Sequence, residues 1–199
     1  MHWHEQHTEY FEVIQGVGKV TLENQNGFLE TRYVSKSSGV VTIPRYRRHC
    51  LGRGDGGRSS ITGITEVNAI GGSKPETADW KVDLLVREWT DPRDGKKEAF
   101  FRNLAGVVHD SASWPWKGQV GRWLGNRWTE WQVLVIFGAL DNYPAVLGGR
   151  WKGLEWVIVH VLSLILGVLG RLVGLGGVYN EYTPLELRGG EGNVRRKSQ

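Results

Sequence analysis

The apolar pattern of this chain changes period near Asp91-Pro92, and that change limits what it can fold into. Before it, short apolar stretches at residues 12–20, 27–34, 39–43, 61–67 and 82–89 are separated by turn formers. Asn24-Gln25-Asn26-Gly27 suits a hairpin turn, because Asn and Gly tolerate positive φ. The glycine-rich segments 52–57 and 71–75 read as loops. Glycine fills 28 of 199 positions without a collagen period, which agrees with many tight turns. Five short strands with no helical segment between them predict a sandwich or barrel.

Beyond Pro92 the spacing becomes helical. Residues 96–107 (KKEAFFRNLAGV) place apolar groups three and four apart, as in a short amphipathic helix. Residues 114–131 hold five of the ten tryptophans among arginines, and apolar runs follow at 133–140 and 156–169. The domain reading is thus a β unit over 1–91 and a Trp-rich helical extension over 92–199, with an apolar helix at about 154–178. From Trp156 to Gly170 no residue is charged. Fifteen helical residues reach roughly 22 Å, short of a ~30 Å hydrocarbon core. Extension to Val178 reaches a spanning length, but includes Arg171 and five glycines. Buried, interface-lying and spanning placements all remain open. The tryptophans and the basic tail Arg195, Arg196 and Lys197 favour contact with a membrane or a partner.

Composition removes several classes. With 40% hydrophobic and 23% charged residues the chain is neither disordered nor a polytopic membrane protein. A net charge of +4 does not indicate nucleic acid as a partner. The lone Cys50 excludes intrachain disulfides and a cysteine-rich zinc site. The opening MHWHEQHTEYFE lacks the apolar run of a secretory signal, so an intracellular location, cytoplasmic or membrane-associated, is expected.

Chemistry concentrates at His2-Trp3-His4. In a strand these two imidazoles project from one face and suit Fe, Zn, Ni, Cu or Mn. Glu9 can add a carboxylate if the chain turns or bulges between them, and His49 a third imidazole from another strand. His7 and Glu12 are substitutes should Glu9 not coordinate. Three histidines and a carboxylate leave one or two positions for substrate, water or dioxygen.

The arrangement His2-x-His4-x4-Glu9-x6-Gly16, followed by Gly39-x4-Pro44-x4-His49 within GVVTIPRYRRHC, resembles the two motifs of the cupin superfamily over roughly residues 1–90. That resemblance implies a mainly β chain: a single jelly-roll cupin barrel with an α-helical, apolar C-terminal extension. It also implies that His2, His4, Glu9 and His49 bind a divalent transition metal. Fe(II) is favoured, with Mn, Zn or Ni as alternatives. Gly16 would occupy a turn, and Pro44 would stiffen the approach to His49. Cupin barrels have at least a strand before the first motif, which here opens at residue 2. The lacking strands are expected from upstream sequence (the chain being truncated), a later segment or a second chain.

The helical continuation looks like that of small fungal cupin-domain proteins that accompany polyketide synthases and are treated as oxidoreductases. A metal-dependent oxidoreductase acting on a small, apolar, polyketide-derived molecule is the function this resemblance implies. A non-catalytic binding or assembly cupin, or a metal-dependent isomerase or dehydratase, is the alternative. Arg47 and Tyr46 are candidate substrate-orienting groups, since strand alternation would put Arg47 on the side of His49. Many cupins pair through their sheets, so a homodimer is the assembly the resemblance implies.

Overall fold

A computed structural model describes residues 1–54, 82–113, 118–147 and 151–188. The expected strand at 61–67, the loop at 71–75, residues 55–57 of the 52–57 loop and the basic tail lie outside them, while residues 52–53 of that loop belong to a strand. The chain divides into two compact units. One comprises Met1–Pro92 with Pro144–Trp151, the other Arg93–Tyr143 with Lys152–Gln199.

The first unit is built of strands because its sequence alternates. In β2 (Thr8–Gln15), Glu9, Phe11 and Val13 are buried while their neighbours are less so. β2 lies between β5 (Val40–Ile43) and β7 (Leu85–Asp91), both antiparallel to it. The second sheet runs β4 (Leu29–Ser35), β3 (Val17–Glu23), β6 (His49–Arg53), β1 (His2–Trp3), and Pro144 extends it beyond β1. The Ala145 N–H donates to Met1 O at 3.0 Å, so a later segment does lie against the first strand. Phe11, Val13, Val41 and Ile43 of one sheet pack with Val20 and Val34 of the other. The unit is therefore a two-sheet sandwich around one apolar core.

Two turns set this arrangement. Residues 12–20 form not one strand but the end of β2 and the start of β3, which belong to different sheets. The break is Gly16 at φ +79°, where an added Cβ would lie 2.8 Å from Asp83 O. Only glycine fits both demands. At the expected hairpin, Asn24 Oδ1 accepts the N–H groups of Asn26 and Phe28 at 2.9 and 3.0 Å, and Gly27 has φ +84°.

The second unit is helical: α1 (Lys96–Ser111), α2 (Gly118–Ala139) and α3 (Lys152–Leu172). Ala99, Phe100 and Val107 of α1 pack with Ile136 and Leu140 near the end of α2. Asn103, fully buried, donates to Ala99 O and Thr183 Oγ1, both at 2.7 Å, and accepts the Tyr179 N–H at 2.6 Å. The segment after α3 is thereby tied to α1. α3 ends at Leu172 rather than at 178, because Gly174 takes φ +83°. Helices of 16, 22 and 21 residues outweigh the short strands. Among the described residues the chain is thus mixed, at 27% strand and 42% helix, not mainly β, and the two sheets do not close into a barrel.

Replacing Gly16 by alanine should destabilise the first unit by about 1–3 kcal/mol, from positive-φ strain and the clash with Asp83 O. A lowered urea midpoint at unchanged m-value would register it.

Candidate metal centre

The two sheets bring four ligating side chains to one place. In the antiparallel β1–β6 pair, His2 lies directly opposite His49. His4 follows β1, and its carbonyl accepts the Tyr46 N–H at 2.7 Å, joining the first motif to the turn before His49. Glu9 comes from the other sheet, held in register between Ile43 and Thr90. Because β2 alternates, Glu9 shares the inward face of Phe11 and Val13 and so points at the histidine-bearing sheet.

One ligand atom from each of His2, His4, Glu9 and His49 lies within 4.8 Å of all the others. Glu9 Oε2 lies 2.6 Å from His4 Nε2 and 3.0 Å from His49 Nε2. The ring centroids of His2 and His49 are 4.2 Å apart, and those of His2 and His4 4.9 Å. His4, Glu9 and His49 are each no more than 4% exposed, whereas His2 is half-buried and gives the cluster its more open side.

Two features make this donor set suit a metal. His49 Nδ1–H donates to Arg47 O at 2.9 Å, which leaves the unprotonated Nε2 of the neutral ring facing the cluster, its lone pair available to a cation. Burial pushes the His49 pKa below its ordinary 6.5, although the hydrogen bond and charge of Glu9 oppose the shift. The neutral ring that a metal requires is favoured. A buried carboxylate among imidazoles also needs a compensating positive charge, and a divalent cation supplies it.

The substitutes are placed elsewhere. Glu12 faces outward and pairs with Arg87 at 3.5 Å. His7 is buried but stands outside the cluster. Tyr46 is 59% exposed with φ +63°. Arg47 precedes β6, so strand alternation does not apply to it, and its guanidinium donates to Asn24 O at 2.6 Å. Cys50, opposite Thr21, is half-buried and free.

One structural group had no signal in the motifs. Glu23, at the end of β3, is buried against Arg48: Arg48 Nη2 donates to Glu23 Oε1 at 2.8 Å and Nε to Oε2 at 3.3 Å. Arg48 also donates to Leu147 O at 3.4 Å, and its own carbonyl accepts the Glu23 N–H at 2.8 Å. The residue next to His49 is thus fixed to β3 through both backbone and side chain. An arginine beside a ligand histidine was the only hint in the sequence.

Comparison with family models, with curated proteins and with solved structures gives no match.

Alanine at His4 or His49 should abolish stabilisation by added Fe(II), Mn(II) or Zn(II). In the native chain, metal at a hundredfold excess over Kd should add about 2.7 kcal/mol, read as a rise in Tm. Glu23→Gln, by leaving the Arg48 charge buried without its partner, should cost about 3–5 kcal/mol, measurable by denaturant unfolding without metal.

Proposed function

We propose that the first unit is a cupin-type jelly roll whose four clustered ligands hold a divalent transition metal, Fe(II) by preference, and that the protein is an oxidoreductase. The observation that carries this reading is the convergence of three imidazoles and one carboxylate from β1, its following residues, β2 and β6. Nitrogen-rich sites with one carboxylate suit redox-active first-row ions, and such an ion supplies electron transfer and dioxygen chemistry.

The chain's own residues give the site its selectivity. The burial of His4, Glu9 and His49 keeps bulk water from three of the ligands. The half-buried side at His2 is where a small molecule can enter. The Phe11, Val13, Val41 and Ile43 side chains make the interior apolar, which favours an apolar organic substrate; that it is of polyketide origin rests on the resemblance alone. Arg47 can orient a substrate phenolate or carboxylate if it exchanges the Asn24 carbonyl for it, and the exposed Tyr46 hydroxyl can reach a bound molecule from the rim.

The test is turnover of aromatic polyketide alcohols and aldehydes by Fe(II)-loaded protein in air. His4→Ala and His49→Ala should lose metal and product together, by at least a hundredfold in kcat/KM. Arg47→Ala should keep the metal and raise KM. Turnover that persists without oxygen or any other electron acceptor would instead identify an isomerase or dehydratase. Tight substrate binding without turnover would identify a binding protein.

A further inference from the structure

The helical unit has an amphipathicity that is reversed on α3. α3 turns its one acid, Glu155, inward to 2% exposure, in line with buried Val159 and Gly170. Ser163 is half-buried against Gly138 of α2, and Trp131 Nε1 of α2 donates to Leu166 O at 3.2 Å. The opposite face is apolar: Val161, Ile165, Val168 and Leu172 recur at helical spacing and are 46–78% exposed. In water the polar groups of a surface helix face out. Here Glu155 and Ser163, between the charged ends, face in, the arrangement expected where the surroundings are hydrocarbon.

We infer that α3 lies in the plane of an anionic membrane surface, with this outward face inserted among the acyl chains. Three observations select that occupant. At 21 residues α3 is long and apolar enough to meet a bilayer. Its cations, Lys152 and Arg171, sit exposed at its two ends, where lipid phosphates lie, and Trp156 is 45% exposed near the first of them. The sequence adds Arg195, Arg196 and Lys197 to the same sign of charge.

The neighbouring helices decide between lying in the membrane and crossing it. The inward stripe of α3 is occupied by α2, and α2 packs its buried side on α1. α2 carries the exposed Arg127–Glu130 pair and α1 the exposed Glu98–Arg102 pair. A spanning bundle would submerge both pairs, whereas an in-plane α3 leaves them in water. The inference is independent of the metal centre.

Flotation of the full chain with vesicles tests it, using phosphatidylcholine alone and phosphatidylcholine mixed with phosphatidylglycerol. The chain should float with the mixed vesicles and at least tenfold less with the neutral ones. Val161→Glu/Ile165→Glu should reduce that flotation at least tenfold while the circular dichroism stays unchanged. Leu172→Glu, at the helix end where folding is less at risk, should weaken it in the same direction. Alkaline carbonate should release the bound protein. The inference is overturned if the native chain floats with neither vesicle, if the glutamate variants float as well as it does, or if carbonate fails to release it. A vesicle-free dimer that the glutamates split, without flotation, would show instead that a second copy covers the face.

Discussion

A carboxylate buried among imidazoles is the constraint on which the first unit depends. Glu9 is 4% exposed, and His4 and His49 both reach the same one of its oxygens. That meeting requires the β1–β6 register that sets His2 opposite His49 and the β2 register that turns Glu9 inward. A slip of one residue in either pairing would aim a ligand out of the cluster. The folding pattern and the candidate chemistry are therefore one requirement.

The surrounding contacts hold those registers. Gly16 lets the chain leave one sheet and enter the other within a single residue. Buried Glu23 and Arg48 tie β3 to the residue before His49, and the Tyr46 N–H ties the turn to His4. A buried ion pair is weak evidence for net stability, but it is well suited to fixing one arrangement over its near alternatives. The second unit relies instead on apolar helix packing, with buried Asn103 joining three segments.

That His2, His4, Glu9 and His49 form a cluster able to hold a metal ion was legible in the sequence through the two spaced motifs and the resemblance they carry. The turns at Asn24 and Gly16 were legible too, but residues 12–20 read as one apolar stretch although they span the end of β2 and the start of β3. Other features were not. The tertiary pairing of Glu23 with Arg48 leaves no local pattern, and Arg47 could be misplaced by alternation because β6 starts only at His49. The return of Pro144–Trp151 to the first unit depends on contacts between residues more than a hundred positions apart. The end of α3 was overextended because apolar composition continues past Gly174, where the backbone has already left the helix. The mainly β reading gave too little weight to the three helices, whose summed length the apolar runs only partly outlined.

X-ray absorption spectroscopy of the iron-loaded chain, with the metal content of the same sample measured, addresses the central claim most directly. One ion per chain, with scattering from three imidazoles and an oxygen ligand, is the predicted result. Substoichiometric metal after reconstitution, or a coordination shell without histidine nitrogen, would contradict it.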